Sequence, residues 1–198
     1  ETFTRSAASG PSLFTSRFTK DGLLVQTVDS SDLAVNTSNY TYDDNNRIKS
    51  IRSHIHSSDD DFTNEITETH NYEYDERGLL QRMYRIKNGR DTSLILFSPD
   101  EKNNVSIEKD TKSGTTYYYY YDSKNRLTDV VHMNPFTQKM LPDYVFEYNN
   151  AGLITQMTST EEGGSYYYIW KYTYSNGLRI REKCYSKERR LLGTIEYA

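Results

Sequence analysis

One nine-residue pattern recurs along this 198-residue chain and restricts its fold more than any other feature. Its first three places hold an aromatic residue, any residue and tyrosine. The fourth holds aspartate or asparagine, and two variable residues follow. The seventh holds glycine or asparagine, the eighth arginine or leucine, and the ninth an aliphatic residue. The four clear copies span residues 40–48, 72–80, 119–127 and 146–154. A pattern that returns in one form predicts a small structural unit that is repeated, so that each unit is completed by its neighbours.

The centre of the pattern has the chemistry of a tight turn. Asp43 can bond the turn backbone through its side chain, and Asn46 suits a left-handed conformation. Together they predict a β-hairpin with a type I turn and a G1 bulge, in which Asp43 pairs with Arg47 and Tyr42 faces Ile48. Such aromatic–aliphatic pairs contribute roughly 0.2–1 kcal/mol each. The equivalent predicted pairs are Tyr74 with Leu80, Tyr121 with Leu127, and Tyr148 with Ile154.

Four weaker copies flank the clear ones. Residues 18–24 keep the register with phenylalanine in place of tyrosine, and residues 172–178 predict a turn that is one residue shorter. Residues 97–105 contain Pro99 and predict a longer turn. Residues 185–192 form the weakest copy, because Arg189 stands where the turn requires glycine or asparagine.

The composition agrees with a sheet whose surface carries many tyrosines. Tyrosine occurs 19 times, and only 35% of residues are hydrophobic. Such a chain is too aromatic for disorder but poor in aliphatic residues for a thick core. No segment shows a capped helical period. We therefore predict an all-β fold, a long antiparallel meander of tandem β-hairpins that forms a curved, largely open, twisted sheet.

The pattern resembles the YD-repeat family, also called RHS repeats. The residues that carry this resemblance are Tyr42-Asp43, Tyr74-Asp75 and Tyr121-Asp122 with their turns, and the asparagine-containing copy at Tyr148. In large members of that family the repeats form a spiralling β-sheet strip that can enclose a toxin or other cargo. The resemblance implies a bacterial origin, an exported or surface role, and contact with carbohydrate or protein.

This chain departs from the large members of that family in two respects. It has too few repeats to close a shell, and it lacks the Asp-Pro dipeptide of their proteolytic end motif. It looks more like a small exported protein that uses the hairpin unit, as seen among Bacteroides-like bacteria. The resemblance thus implies a periplasmic or cell-surface location. Because residues 1–12 have no repeat character, a linker from a removed N-terminal lipid anchor is a further hypothesis.

Several classes of protein are disfavoured by charge and composition. The net charge is −4 and the charges are mixed along the chain, which argues against nucleic acid as a partner. Cys184 is the only cysteine, so no intrachain disulfide is expected. The sequence has no run of 18 apolar residues, and we predict no membrane span. We expect a flexible linker over residues 1–12 and a single hairpin array over residues 13–198.

Two groups of aromatic residues exceed what the repeat requires. They are Tyr117–Tyr121 and Tyr166–Tyr168 with Trp170. Their rings can stack on sugar rings or accept the apolar surface of a protein, although rings that replace an aliphatic core would give the same sequence. A lone tryptophan such as Trp170 often anchors an interface. The candidate ligand-binding residues are therefore Tyr119, Tyr121, Tyr166, Tyr168 and Trp170.

Other reactive residues receive structural interpretations. His54 and His56 lie two residues apart and could form a metal pair on one strand face, but a third ligand is not evident, so no metal or cofactor is expected. The acidic pairs Asp75-Glu76 and Glu161-Glu162 fit solvated turns better than the converging carboxylates of a glycosidase. Cys184 has no histidine partner in its repeat and fits a packed strand position.

Three functional hypotheses follow. The preferred one is a non-catalytic, exported bacterial protein that binds a partner protein or a glycan through an aromatic sheet face. The second is a structural segment of a larger repeat assembly. The third, which the sequence favours least, is an enzyme that acts on glycans.

Overall fold

The computed structural model describes residues 2–3, 12–30, 34–59, 62–133, 139–160 and 166–197. These residues form β-strands joined by turns. Among them there is no helix long and apolar enough to cross a membrane. The strands are β1 (Thr2–Phe3), β2 (Ser12–Phe18), β3 (Leu24–Ser30), β4 (Ala34–Tyr42), β5 (Ile48–Asp59), β6 (Phe62–Tyr74), β7 (Leu80–Lys87), β8 (Asp91–Pro99), β9 (Val105–Asp110), β10 (Thr116–Tyr121), β11 (Leu127–Met133), β12 (Met140–Tyr148), β13 (Ile154–Thr160), β14 (Tyr167–Ser175), β15 (Leu178–Tyr185) and β16 (Leu191–Glu196).

The strands follow one another in the sheet in chain order, from β1 to β16. Each described pair of neighbours is antiparallel, and the order leaves β1 and β16 as the two outer strands. The predicted all-β meander and its open sheet are therefore confirmed. Contacts divide the chain into two units, the first with residues 1–97 and 110–113 and the second with residues 98–109 and 114–198.

The N-terminal segment is described only in part. Thr2–Phe3 forms β1, which pairs with the start of β2. Residues 4–11, which make up most of the predicted linker, lie outside the described residues. The linker therefore stays a prediction.

The four clear repeats fold as their sequence predicts. Tyr42 pairs with Ile48, and the backbone N–H of Asp43 donates to the carbonyl of Arg47 over 2.9 Å. The three other predicted pairs form in the same register, namely Tyr74 with Leu80, Tyr121 with Leu127, and Tyr148 with Ile154. The turn residues Asn46, Gly78, Asn125 and Gly152 have φ angles of 59°, 82°, 64° and 83°. All four are left-handed, as a G1 bulge requires.

The first turn residue also binds the turn with its side chain. Asp43 Oδ1 accepts hydrogen bonds from the backbone N–H groups of Asn45 and Arg47, each over 2.9 Å. Asp122 repeats this contact with Lys124 and Arg126. This is the reason for aspartate or asparagine at this position, because the carboxylate satisfies two turn donors at once.

Two of the weak copies form more regular turns than the sequence suggested. The prediction of a longer turn at Pro99 is wrong, because Asp100 donates to Asn104 and Asn103 donates to Asp100, as in the clear copies. Pro99 simply occupies the tyrosine position. In the last copy Ser186 donates to Arg190, and Arg189 adopts a φ of 64° despite its side chain.

Seven of these hairpins also carry a second irregularity that the sequence did not reveal. In the return strand, the residue that follows the aliphatic position has no partner on the opposite strand. For example, Tyr42 pairs with Ile48 and Thr41 pairs with Ser50, which leaves Lys49 as the extra residue of a β-bulge. The same shift occurs in the hairpins at Phe18, Tyr74, Tyr121, Tyr148, Tyr174 and Tyr185.

The turn glycine at position 78 allows a direct prediction. A Cβ added there would lie 3.0 Å from Nη1 of Arg47, at a φ of +82° that side chains rarely adopt. Gly78→Ala should therefore lower the free energy of unfolding by about 1–2 kcal/mol. Gly193→Ala is the matched control, because a Cβ there would contact no atom within 4 Å. Equal free energies of unfolding for the two variants, measured by urea titration, would contradict this account of the turn.

The buried core is small, as the composition predicted. Among the described residues the buried hydrophobic side chains are Met83, Ile95 and Val130. In the first unit, Tyr72, Met83 and Ile95 form one row across three strands. Ile95 is 1% exposed and is the only described side chain of its size that is fully enclosed. Most other rings and aliphatic side chains are half-buried.

Candidate binding face of the second unit

Strand pairing in the second unit places many of its aromatic residues on one face of the sheet. Paired residues of neighbouring strands share a face, so rows can be followed across the sheet. One row contains Tyr119, Val130, Tyr144, Ser159 and Tyr168. The next contains Phe146, Met157, Trp170, Cys184 and Gly193. We call this surface the aromatic face, and it comprises Tyr117, Tyr119, Tyr121, Tyr144, Phe146, Tyr148, Tyr168, Trp170, Tyr172 and Tyr174.

Four of the five predicted binding residues lie on the aromatic face. Tyr119 and Tyr121 are half-buried on β10, and Tyr168 and Trp170 are half-buried on β14. Tyr166 precedes β14 and is 61% exposed, with Lys187 Nζ 5.7 Å from the centre of its ring. The structure thus leaves most of these rings in contact with both neighbours and solvent.

Two of the predicted binding residues are held by hydrogen bonds within the sheet. Tyr121 donates its hydroxyl to the carbonyl of Val105 over 2.8 Å, and Tyr119 donates to Oε2 of Glu108 over 2.6 Å. Burial and the bond to Glu108 raise the pKa of the Tyr119 hydroxyl well above its usual value. Both hydroxyls therefore stay protonated donors with a structural role.

The bond made by Tyr121 belongs to a series that sequence reasoning missed. In five repeats the tyrosine before the turn donates its hydroxyl to a backbone carbonyl of the neighbouring strand. The acceptor is the residue at the aliphatic position of the preceding repeat. We call this series the tyrosine ladder. Its bonds join Tyr42 to Leu24, Tyr74 to Ile48, Tyr121 to Val105, Tyr148 to Leu127 and Tyr174 to Ile154, over 2.8, 2.8, 2.8, 2.6 and 2.8 Å. The ladder gives the tyrosine hydroxyl at this position a role that phenylalanine, as at Phe18, cannot fill.

Arginine adds a second contact between neighbouring repeats. Arg47 forms an ion pair with Asp43 in its own turn, and its guanidinium lies 4.5 Å from the ring centre of Tyr74 in the next repeat. Arg126 likewise pairs with Asp122 and lies 4.4 Å from the ring centre of Tyr148. Cation–π contacts of this kind contribute about 0.5–1 kcal/mol at exposed sites.

The first aromatic residue of the pattern makes its own series of contacts. Where this residue is a tyrosine with a described contact, its hydroxyl lies close to a side chain of the neighbouring strand. That side chain belongs to the residue three positions after the acceptor of the ladder bond. Tyr40 lies 3.5 Å from the Thr27 hydroxyl, and Tyr172 lies 3.9 Å from Met157 Sδ. Burial raises the pKa of Tyr172 to about 12. Tyr119, which donates to Glu108, belongs to the same series.

The most accessible part of the aromatic face lies around Tyr144. Its side chain is 43% exposed and stacks on Phe146, with 6.2 Å between ring centres and 18° between ring planes. Phe146 shares its row with Met157 and Trp170. This is the region of the described face that offers apolar ring surface to a ligand.

An open depression of about 330 Å³ lies beside the predicted residues of β10. It is lined by Tyr119–Tyr121, by Ser106 and by the turn residues Asp100–Lys102. Tyr120 is 49% exposed there. The depression is shallow, so it offers a surface for contact and not an enclosing site.

The histidine pair lies in the first unit. His54 and His56 both approach Glu65, with nitrogen–oxygen distances of 3.8 and 3.4 Å. His70 pairs with Ile51 of β5. Because side chains alternate along a strand, Ile51 faces away from His54 and His56, and His70 therefore lies on the other side of the sheet. Within the described ranges no three histidine, cysteine or acidic side chains form a group that could hold a metal ion.

The remaining reactive residues have structural surroundings. Asp75 accepts hydrogen bonds from the N–H groups of Arg77 and Leu79, as expected of a turn residue. Glu161 and Glu162 lie outside the described residues. Cys184 pairs with Trp170, and burial raises the pKa of its thiol, which disfavours the thiolate that a nucleophile needs.

The turn carboxylates predict how stability depends on pH. The hydrogen bonds from Arg47 and Arg126 hold the pKa values of Asp43 and Asp122 below the ordinary value of 3.8. A carboxyl group with a lowered pKa in the folded state stabilises the fold above its unfolded pKa, and that contribution is lost as the pH falls through the folded pKa. We therefore expect the free energy of unfolding to decrease as the pH falls below 3.8.

A double variant tests this prediction. Asp43→Asn with Asp122→Asn should weaken the pH dependence of the unfolding midpoint below pH 3.8, when measured by urea titration at a series of pH values. Asp44→Asn is the control, because Asp44 is exposed in the same turn. An unchanged pH dependence in the double variant would show that these pairs do not contribute.

Comparison with known proteins gives only distant similarities. No family model and no curated protein matches the chain. A crystal structure of TcdB2-TccC3-TEV aligns with 99% of this chain and 11% of its own, at 13% identity and a TM-score of 0.48. The chain therefore spans about a tenth of that protein's length.

Two further solved structures are similar at the same level. A porin-like protein from Bacteroides uniformis aligns with 87% of this chain and 93% of its own, at 13% identity and a TM-score of 0.43. The Photorhabdus luminescens Tc holotoxin pore aligns with 97% of this chain and 16% of its own, at 10% identity and a TM-score of 0.38. These values are too low to transfer the function of those proteins to this chain.

Proposed function

We propose that the chain is a non-catalytic scaffold, one segment of a larger repeat assembly built from tyrosine–aspartate hairpins. The tyrosine ladder is the observation that carries this proposal. Each ladder tyrosine satisfies a carbonyl outside its own hairpin, so a repeat is complete only when a neighbour is present. Stability in such an array depends on nearest-neighbour contacts, as it does in other repeat proteins.

The surroundings of the acidic and thiol groups support a non-catalytic role. Glu108 accepts the hydroxyl of Tyr119, and Glu182 is 7% exposed and accepts hydrogen bonds from Arg179 and Tyr197. Groups committed in this way hold the sheet together. A catalytic carboxyl group instead has to face the substrate, and its own pKa has to allow it to exchange a proton there.

Association in solution tests the scaffold proposal. The outer strands β1 and β16 have unpaired edges in the described sheet, and such edges promote pairing with other strands. We expect the apparent mass from light scattering to rise with protein concentration. A monodisperse monomer over the whole concentration range would count against the chain being a segment of an assembly.

A binding role for the aromatic face is the second candidate. Its support is the apolar ring surface around Tyr144, which is 43% exposed and stacks on Phe146. We propose that a partner protein or a glycan covers this face, with Tyr119, Tyr121, Tyr166, Tyr168 and Trp170 among the contacting residues.

The single tryptophan provides a direct assay of that role. Trp170 is the only tryptophan of the chain, so a ligand on the aromatic face should change its fluorescence. Hits from a glycan array would be titrated against the protein and against Tyr144→Ala, with Tyr167→Ala on the opposite face as the control. Loss of binding in both variants, or in neither, would exclude the aromatic face as the site. A matching hydrolysis assay on each hit tests the alternative of a glycan-acting enzyme.

An exported location, in the periplasm or on the bacterial cell surface, is part of the proposal. Its support is the resemblance of the turn pattern to YD repeats. Fractionation of the source cells, followed by immunodetection in the cytoplasmic, periplasmic and membrane fractions, tests it. Recovery of the protein in the cytoplasmic fraction alone would contradict it.

A further inference from the structure

The outer strand β16 is paired to β15 in the same register in which β14, the first strand of a repeat, is paired to β13. Glu196 pairs with Arg181 in the same way that Lys171 pairs with Gln156. By this correspondence Tyr197 is equivalent to Tyr172, the first aromatic residue of its repeat. The sequence Tyr197-Ala198 thus fills the first two places of the aromatic–any–tyrosine triplet.

The contact made by Tyr197 supports this correspondence. Its hydroxyl donates to Oε1 of Glu182, the residue three positions beyond Arg179. Tyr172 approaches Met157, and Tyr119 donates to Glu108, from the equivalent positions in their repeats. Three tyrosines that share one place in the pattern therefore make the same kind of contact, and one of them lies just beyond β16.

The correspondence also identifies an acceptor for the next ladder bond. Ile154 faces Tyr148 across its hairpin and accepts the hydroxyl of Tyr174. Arg179 faces Tyr174 in the same way, so its carbonyl is the equivalent acceptor. The donor would be a tyrosine placed three residues after Glu196, as Tyr174 is placed three residues after Lys171.

The outer edge of β16 is suited to pairing. Its sequence, Leu191–Glu196, contains no proline and one charged residue, whereas protected edges usually carry proline or several charges. Leu191 and Leu192 are 49% and 50% exposed at the start of the strand. An added strand would cover part of this apolar surface and satisfy the outward-facing backbone groups.

We propose that β16 is a site of sheet extension and serves as the first strand of a further tyrosine–aspartate hairpin. The return strand of that hairpin pairs with the outer edge of β16. The tyrosine of that hairpin donates its hydroxyl to the carbonyl of Arg179. This proposal rests on the scaffold function and names the partner of one edge: a hairpin of the same repeat type, contiguous with the chain.

A chain extension tests the proposal. A copy of Tyr121–Met133 appended after Ala198 supplies the tyrosine, the turn and a return strand in the required register. The matched control carries the same residues in reversed order. In the first protein, the β16 amides that face away from β15 should exchange with solvent more slowly by on the order of tenfold. The control extension should leave their exchange rates unchanged.

The outcomes separate this proposal from the scaffold function. Equal exchange rates in the two extended proteins would overturn the extension site, while association through other edges could still support a scaffold. Changing the tyrosine of the appended copy to phenylalanine should remove part of the added protection, because the bond to Arg179 is then lost.

Discussion

Replacing Ile95 with alanine should lower the free energy of unfolding by about 2–5 kcal/mol. Ile95 is 1% exposed and pairs with Met83, which is itself 7% exposed. Truncation removes buried methyl groups and leaves a cavity that neighbouring side chains fill only in part. The loss is large for this chain, because its described core contains so few enclosed aliphatic residues.

The neighbouring residue provides the control for this variant. Leu96 follows Ile95 on β8, points to the opposite face and is 40% exposed. Leu96→Ala should therefore cost much less, since most surface substitutions change stability by about 0.5 kcal/mol or less. Both would be measured by urea titration. Similar losses for the two variants would show that Ile95 does not form the centre of a core.

Removing three hydroxyls of the tyrosine ladder should destabilise the second unit by roughly 1.5–4.5 kcal/mol, since each hydrogen bond contributes roughly 0.5–1.5 kcal/mol. The variant combines Tyr121→Phe, Tyr148→Phe and Tyr174→Phe. Each change keeps the ring and leaves a part-buried carbonyl without its donor. The three tyrosines belong to different hairpins, so their effects should be close to additive.

A second triple variant controls for the loss of hydroxyl groups in general. Tyr118→Phe, Tyr120→Phe and Tyr167→Phe change tyrosines whose strand positions face away from the aromatic face. Their combined effect on the free energy of unfolding should be small. If the control triple variant lost as much stability as the ladder variant, the bonds to the carbonyls would not be what stabilises the array.

The hairpin geometry was predictable from sequence because its causes are local. Asp43 and Asn46 determine the turn by themselves, and the turn then sets the pairing of Tyr42 with Ile48. The prediction of a longer turn at Pro99 rests on proline alone and is wrong. In the structure Pro99 occupies a position where the aspartate and asparagine that follow still form the usual turn.

The contacts between repeats were not predictable from a single copy of the pattern. The hydroxyl of Tyr74 bonds a backbone carbonyl 26 residues earlier, and a carbonyl is present at every position, so it leaves no signal in the sequence. The alternation of residues along a strand placed Trp170 and Tyr168 on one face. That Tyr119 lies on the same face depends on the register of β11, β12 and β13, including the bulge in β12, which no local pattern determines.

The most direct test of the repeat account is to observe the ladder hydroxyl protons by nuclear magnetic resonance. The account predicts slowly exchanging hydroxyl signals for Tyr42, Tyr74, Tyr121, Tyr148 and Tyr174, each with a cross-peak to the Hα of its acceptor residue in the preceding repeat. The hydroxyl of Tyr120, which is 49% exposed, should exchange too fast to be seen. Exchange of the five ladder hydroxyls as fast as that of Tyr120 would contradict the account.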